Sequence, residues 1–160
     1  MEIYLLRHAI AEDWRPGMAD ADRALTVEGK KRLRAVLRLA RAAAVEPSLI
    51  LSSPYVRARD TAAIAAEELH YRGTVIHTGV LTPDGNVEAV WTEIRTHLGE
   101  SSVLLAGHEP LLGRMAGYLL GAPGVLVEMK KSALVRIDVN SFGPAPRGVL
   151  RWMLTPALAR

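Results

Sequence analysis

Apolar runs of strand length alternate along this chain with segments of helical period, and that alternation limits the fold more than any other feature. Ile3-Tyr4-Leu5-Leu6 is the first run. After a polar stretch, Thr26 reads as a helix N-cap, with Leu33, Val36, Leu37 and Ala40 recurring at i, i+3, i+4 and i+7. Leu49-Ile50-Leu51 is the second run; Ser53 then reads as an N-cap with Pro54 at the first helical position. Ala58, Ala62, Ala65 and Leu69 form the stripe of that helix. A third run starts at Val75-Ile76 and ends near Leu81, before a helix from about Val87 to Leu98. Val103–Ala106 is the fourth run, and Gly107-His108-Glu109-Pro110 opens a helix to about Leu120. Ala133–Val139 and Val149–Leu154 instead alternate apolar with polar residues around a Gly143-Pro144-Ala145-Pro146 loop, the pattern of a hairpin-like edge or of two neighbouring edge strands. The expectation is a three-layer α/β/α sandwich with a largely parallel central sheet and an antiparallel edge.

At 160 residues the chain matches one domain, taken as 1–160, and a core of that size buries roughly two thirds of the unfolded surface without staples. Cysteine is absent, which excludes disulfides, thiolate metal sites and a cysteine nucleophile, and fits a reducing cytoplasm. No segment reaches the ~20 apolar residues of a membrane span, and no leader pattern is visible, so no membrane partner is expected. The formal charge is +3, and arginine outnumbers lysine among the 20 basic residues, which fits anionic partners. Nucleic acid is not expected, because aromatic residues make up only 5% and offer no stacking platform.

Three predicted strands end in polar residues. The first ends in Arg7-His8, the second leads into Ser53-Pro54-Tyr55-Val56-Arg57, and the fourth ends in Gly107-His108. In an open α/β sheet, ligands bind beyond the carboxyl ends of the strands. Singly, such an arginine is a surface ion-pair partner and such a histidine a helix cap. Together, two arginines, two histidines and two helix N-termini at one crevice make an anion site. Phosphoryl hydrolysis needs an in-line nucleophile and fixed positive charge around the equatorial oxygens. Without cysteine, the candidates are histidine, serine, aspartate or a metal-bound water. His8 has the best setting, since neighbouring cations favour the neutral imidazole that can attack. Arg7 and Arg57 would hold the phosphoryl oxygens, and His108, if protonated, would donate a further hydrogen bond. Asp20-Ala21-Asp22 resembles an aspartyl-nucleophile pair but lies in a polar loop, and His70, His77 and His97 sit singly rather than as a metal set. The face bearing Lys30, Lys31, Arg34, Arg38 and Arg41 on the first helix reads as solvated.

Leu6-Arg7-His8-Ala9 resembles the signature of the histidine phosphatase superfamily, the phosphoglycerate-mutase-like fold, with alanine in place of the usual glycine. Ser53-Pro54 with Arg57-Ala58 and Thr61-Ala62 resembles the second motif, Gly107-His108 the third, and Arg23-Ala24-Leu25-Thr26 with Gly29 the opening of the first helix. The short length and the Gly-His-Glu-Pro segment are most similar to SixA-type phosphohistidine phosphatases. The resemblance implies that His8 is transiently phosphorylated, that Arg7, Arg57 and His108 complete a phosphate pocket, and that no metal or organic cofactor takes part.

Many members also carry a carboxylate general acid after the third strand. Here that region reads Leu81-Thr82-Pro83-Asp84-Gly85-Asn86, where Asp84 is a candidate acid but Pro-Asp-Gly is equally a turn sequence. An alkoxide leaving group gains ~10²–10⁴-fold from protonation, whereas imidazole already accepts a proton near pH ~6.5. A site without a strong acid therefore suits P–N over P–O cleavage, and a chain with little room for a lid suits a phosphohistidine carried on a protein. The alternatives are a phosphatase for small phosphorylated molecules and a non-catalytic phosphate-recognition module. Lys130-Lys131 could flank the pocket and steer an acidic partner, or be a solvated pair.

Overall fold

Strand β1 (Glu2–Arg7) sends Ile3 and Leu5 to one face and Tyr4 and Leu6 to the other, and all four are fully buried. A strand buried on both sides needs a layer on each. The computed structural model, which describes residues 1–160, supplies both. Helices α1 (Val27–Ala42) and α2 (Val56–Glu68) cover the Tyr4 and Leu6 face; α3 (Val87–Arg95) and α4 (Leu111–Leu119) cover the other. The sheet is completed by β2 (Leu49–Ser52), β3 (Ile76–His77), β4 (Ser102–Gly107), β5 (Leu134–Val139) and β6 (Gly148–Leu154), in the order β3-β2-β4-β1-β5-β6. Strands β1 to β4 pair in parallel, while β5 pairs antiparallel with β1 and β6 antiparallel with β5. This is the expected three-layer sandwich with an antiparallel edge. No helix is long and apolar enough to cross a membrane.

The connections place the site. From β1 the chain leaves through α1 toward β2, on the far side of β4. From β4 it leaves through α4 toward β5, on the far side of β1. Two adjacent parallel strands whose connections diverge open a crevice at their carboxyl ends. Arg7 pairs with Gly107 at that end, so the residues that follow, His8 and His108, flank the crevice.

Helix α1 starts where Thr26 Oγ1 accepts the Gly29 N–H at 2.9 Å, a cap worth about 1 kcal/mol. Its buried stripe, Leu33, Val36, Leu37 and Ala40, packs on the Tyr4 and Leu6 face; each large side chain contributes roughly 1.5–3 kcal/mol. Gly29 is required by proximity, since a Cβ there would lie 2.3 Å from the Ile10 carbonyl oxygen. The helix thereby locks against the segment that follows His8.

Four local expectations shift. Helix α2 begins at Val56, not Pro54: its N-cap is Tyr55, while Ser53 stays tied to the sheet through its N–H, which donates to the Ala106 carbonyl at 3.0 Å. The third run narrows to a two-residue strand and a 3₁₀ turn over Gly79–Leu81, and α3 ends at Arg95 rather than Leu98. The basic face of α1 is partly engaged: Arg34 and Arg38 reach Glu68 at 2.6 and 3.4 Å, and Arg41 donates to the Glu68 carbonyl at 3.3 Å.

Candidate active site

Backbone hydrogen bonds continue past the strand ends and fix the site residues to one another. The His8 N–H donates to the Gly107 carbonyl at 2.9 Å, tying the end of β1 to the end of β4. The Arg7 N–H donates to Ala133, and the His8 carbonyl accepts from Ser132 N–H at 3.2 Å, which draws in the segment before β5. Helix α2 joins through Thr61, whose Oγ1 accepts from Ala9 N–H at 3.1 Å and donates to the Arg57 carbonyl at 2.7 Å. Arg7 from the end of β1, His8 and His108 from the loops after β1 and β4, and Arg57 from α2 thus come to a single crevice. The rings of His8 and His108 lie 5.1 Å apart between centroids.

His8 is oriented by its own neighbour. Its Nδ1 lies 2.7 Å from the Ala9 carbonyl oxygen, which can only accept, so Nδ1 carries the proton and Nε2 holds the free lone pair. Burial lowers its pKa to about 4, helped by the positive charges of Arg57, Arg7 and Lys131 and opposed by the Ala9 carbonyl. His8 is therefore neutral at pH 7, the state with a nucleophilic ring nitrogen.

His108 is neutral too. Burial, then the proximity of the His8 ring and the charge of Arg57, lower its pKa to about 3, although Asp20 opposes them. Protonation was the condition under which His108 was expected to donate, and its burial beside Arg57 and Arg7 disfavours that state. Its Nε2 sits 2.8 Å from Ser53 Oγ, and that oxygen accepts from the Tyr55 N–H at 3.2 Å. The set is complete when the Ser53 hydroxyl donates to Nε2 and Nδ1 carries the ring proton. A neutral ring still has one N–H to donate.

The arginines are held but not saturated. Arg7 Nη1 donates to the Met129 carbonyl at 2.7 Å, and burial lowers its pKa. Arg57, only 4% exposed, donates through Nη1 to the Asp20 carbonyl at 2.8 Å and through Nη2 to the Asp20 carboxylate at 3.1 Å. Its guanidinium also lies 5.1 Å from the Tyr55 ring centroid, and that ring meets His108 edge-on. Arg7 Nε, Arg57 Nε and His108 Nδ1 are buried with no partner inside the protein. Buried donors are costly to leave unmatched, and three together mark a place that takes an acceptor.

Asp84 stands apart in its contacts. It is exposed in the turn before α3, where its carboxylate accepts from Thr82 Oγ1 at 2.8 Å, a bond that holds its pKa low. The carboxylate that does reach the site is Asp20, on a 3₁₀ turn over Asp20–Asp22. Burial raises its pKa, but Arg57 and Arg23 more than offset this, and it is held ionised. Sequence reasoning missed the roles of Asp20 and Ser53 because each has a sufficient local explanation, a polar loop and a helix cap. No group of three or more histidines and carboxylates is placed to hold a metal ion.

The profile of the histidine phosphatase superfamily (branch 1) matches residues 3–79. An uncharacterised protein of Picosynechococcus sp. is 34% identical over 139 residues, covering 84% of this chain and 83% of its own. The phosphohistidine phosphatase SixA of Escherichia coli K12 is 28% identical over 159 residues, 98% of this chain and 94% of that protein. A solved structure of the protein histidine phosphatase SixA complexed with tungstate superposes with a TM-score of 0.89 at 26% identity, covering 100% of both chains.

Proposed function

Because this chain belongs to the histidine phosphatase superfamily, a group of phosphatases, we propose that it removes phosphate from phosphohistidine carried on a signalling protein. The observation that carries the reading is the His8 ring, neutral and held by the Ala9 carbonyl through Nδ1, with Nε2 free among Arg7, Arg57 and His108. In this scheme Nε2 attacks phosphorus, the bond to the substrate imidazole breaks, and that imidazole leaves with a proton from solvent. Arg7 and Arg57 hold the phosphoryl oxygens, and the N–H of His108 donates to a third. Water then attacks the phosphoryl group on His8 and releases inorganic phosphate, restoring the neutral ring. Tungstate is a tetrahedral oxyanion like phosphate, so the SixA complex with tungstate supports an oxyanion ligand for this chain.

The choice of P–N over P–O cleavage rests on the carboxylates. Asp20 is ionised against Arg57 and Arg23, Glu109 Oε1 accepts the Gly113 N–H at 2.6 Å, and Glu128 pairs with Lys130. Asp84 is engaged in its own turn. None is a ready acid for an alkoxide, whereas an imidazole leaving group has little need of one. The reading takes residues 1–160 as one domain acting in the cytoplasm, with a phosphohistidine-bearing protein as partner and no cofactor.

The test compares turnover of a phosphohistidine peptide with that of small sugar phosphates, and traps the phosphoenzyme. Preference for the phosphohistidine peptide is expected, with an acid-labile, alkali-stable phosphoenzyme that is lost in His8→Ala. Faster turnover of sugar phosphates assigns the site to small molecules instead. A phosphoenzyme that survives His8→Ala overturns the nucleophile.

A further inference from the structure

Beside the crevice, on the side of β5 and β6, the fold leaves a cavity of about 510 Å³. Its charged lining is Arg7, Arg32, Lys130 and Lys131, with no carboxylate among the lining residues, and residues 155–157 form its far wall. A second concavity shares Arg32, Pro156 and Ala157 and continues the groove to Lys31 and Arg160, with Glu28 its one acidic residue. The groove is thus a basic track that begins at Arg7 in the crevice and runs outward along α1.

Three observations point to an anionic occupant. Ser132, which lines the cavity, is 1% exposed, and its Oγ has no hydrogen-bond partner in the protein. Such a group costs stability unless something outside the chain meets it. Arg32 and Lys130 do have partners, Glu28 and Glu128, but both pairs are well exposed and so are weak and readily exchanged. The groove is also coupled to the chemistry: Ser132 N–H bonds the His8 carbonyl, and the charge of Lys131 reaches the His8 ring. No aromatic side chain lines the cavity, so it lacks the stacking surface that a nucleic acid would use.

We propose that this groove takes an acidic segment of the substrate protein, its carboxylates meeting Lys131, Lys130 and Arg32 while the phosphoryl group enters at His8. The inference rests on the phosphohistidine reading above and deepens it, since it names what surrounds the phosphorylated residue. Exposed lysines and arginines on a rim of this kind act mainly on encounter and selectivity, and salt weakens them.

Two synthetic phosphohistidine peptides test the proposal, one flanked by glutamates and one by serines, with a fluorescein-labelled hexaglutamate peptide as a direct binding probe. At low salt, kcat/KM is expected to favour the glutamate peptide by on the order of tenfold. The ratio falls toward one in Arg32→Glu/Lys130→Glu and at high salt, while the serine peptide is turned over as before, which shows that the variant is folded. Equal turnover of both peptides by the wild type, or equal hexaglutamate binding by wild type and variant, overturns the groove. If neither phosphohistidine peptide is turned over but hexaglutamate binds the wild type alone, the acidic-segment site stands and the reaction reading falls.

Discussion

Arg34 on α1 and Arg57 on α2 each reach a carboxylate on another element, but their surroundings differ. Arg34 meets Glu68 at 2.6 Å and Glu67 at 2.9 Å on a surface where its own side chain is 32% exposed. Its charge is matched by two carboxylates, and the pairs fasten α1 to α2. Arg57, with a side chain 5% exposed, meets the single carboxylate of Asp20 at 3.1 Å, and its Nε is left buried without a partner. The first cluster is electrostatically complete; the second, with Arg7 and His108, has donors to spare. Both are arginines on helices facing acidic residues, so what separates a fastening from an anion site is the balance of donors and acceptors, not residue type.

The largest effect that separates the two clusters is Arg57→Ala. Loss of a preorganised donor to a transferring phosphoryl group costs about 10²–10³-fold in kcat/KM, and steady-state kinetics on a phosphohistidine peptide reads it. Arg57→Lys restores charge without the planar fork and recovers part of the loss. If Arg57→Ala keeps near-full activity, the unmatched donors are only a packing feature and the comparison breaks.

The fold was legible because its signals are redundant: continuous apolar runs, Thr26 as a cap, and polar residues at three strand ends each point to the same crevice. The meeting of Arg7, His8, Arg57 and His108 at one crevice was legible for the same reason, since the carboxyl ends of parallel strands share one edge. The rest depends on contacts between residues far apart in sequence. Asp20 lies 37 residues from Arg57, and Ser53 lies 55 from His108. Nothing local distinguishes Asp20 from a solvated loop acid, or Ser53 from a helix cap. The state of His108 was left open in the sequence because the depth of burial, which dominates its pKa, is a property of the assembled crevice.

Protonation sharpens the comparison next. As the proposed nucleophile His8 must be neutral to attack, and its pKa is lowered to about 4, so kcat/KM of the free enzyme is expected to be level above that pH. Below it, activity falls roughly tenfold per pH unit. Arg57 is one cause of the lowering, so Arg57→Ala moves this acid limb upward, whereas Arg34→Ala leaves it in place. Stability follows the same groups. His8 and His108 release protons at about 4 and about 3 in the folded chain, against ~6.5 when unfolded. Between these values the unfolded chain binds more protons, so stability rises with pH through that window and is complete above it. Thermal melts across pH 4 to 7 check the sign, as Tm must fall on acidification.

A smaller effect comes from the carboxylate itself. Asp20→Asn keeps the shape of the contact with Arg57 and removes the negative charge beside the anion site. One unit charge at ~4 Å in water is worth about 1 kcal/mol, so inorganic phosphate is expected to inhibit about fivefold more tightly. Unchanged phosphate inhibition would mean that Asp20 does not share the field of the bound anion.

The smallest effect belongs to the other cluster, and it decides whether the comparison is general. Arg34→Ala removes two ion pairs, one to Glu67, which is 66% exposed, and one to Glu68, which is 9% exposed. The exposed pair contributes little, and Glu68 keeps Arg38 at 3.4 Å as a second partner. The expected loss is therefore no more than about 1 kcal/mol of unfolding free energy by denaturant titration, with kcat/KM and the acid limb unchanged. A larger loss would show that Glu68 depends on Arg34 to remain charged near the core. A change in kcat/KM would show that the α1–α2 contact also sets the position of Arg57, the second residue of α2, and the fastening and the site would then be one system.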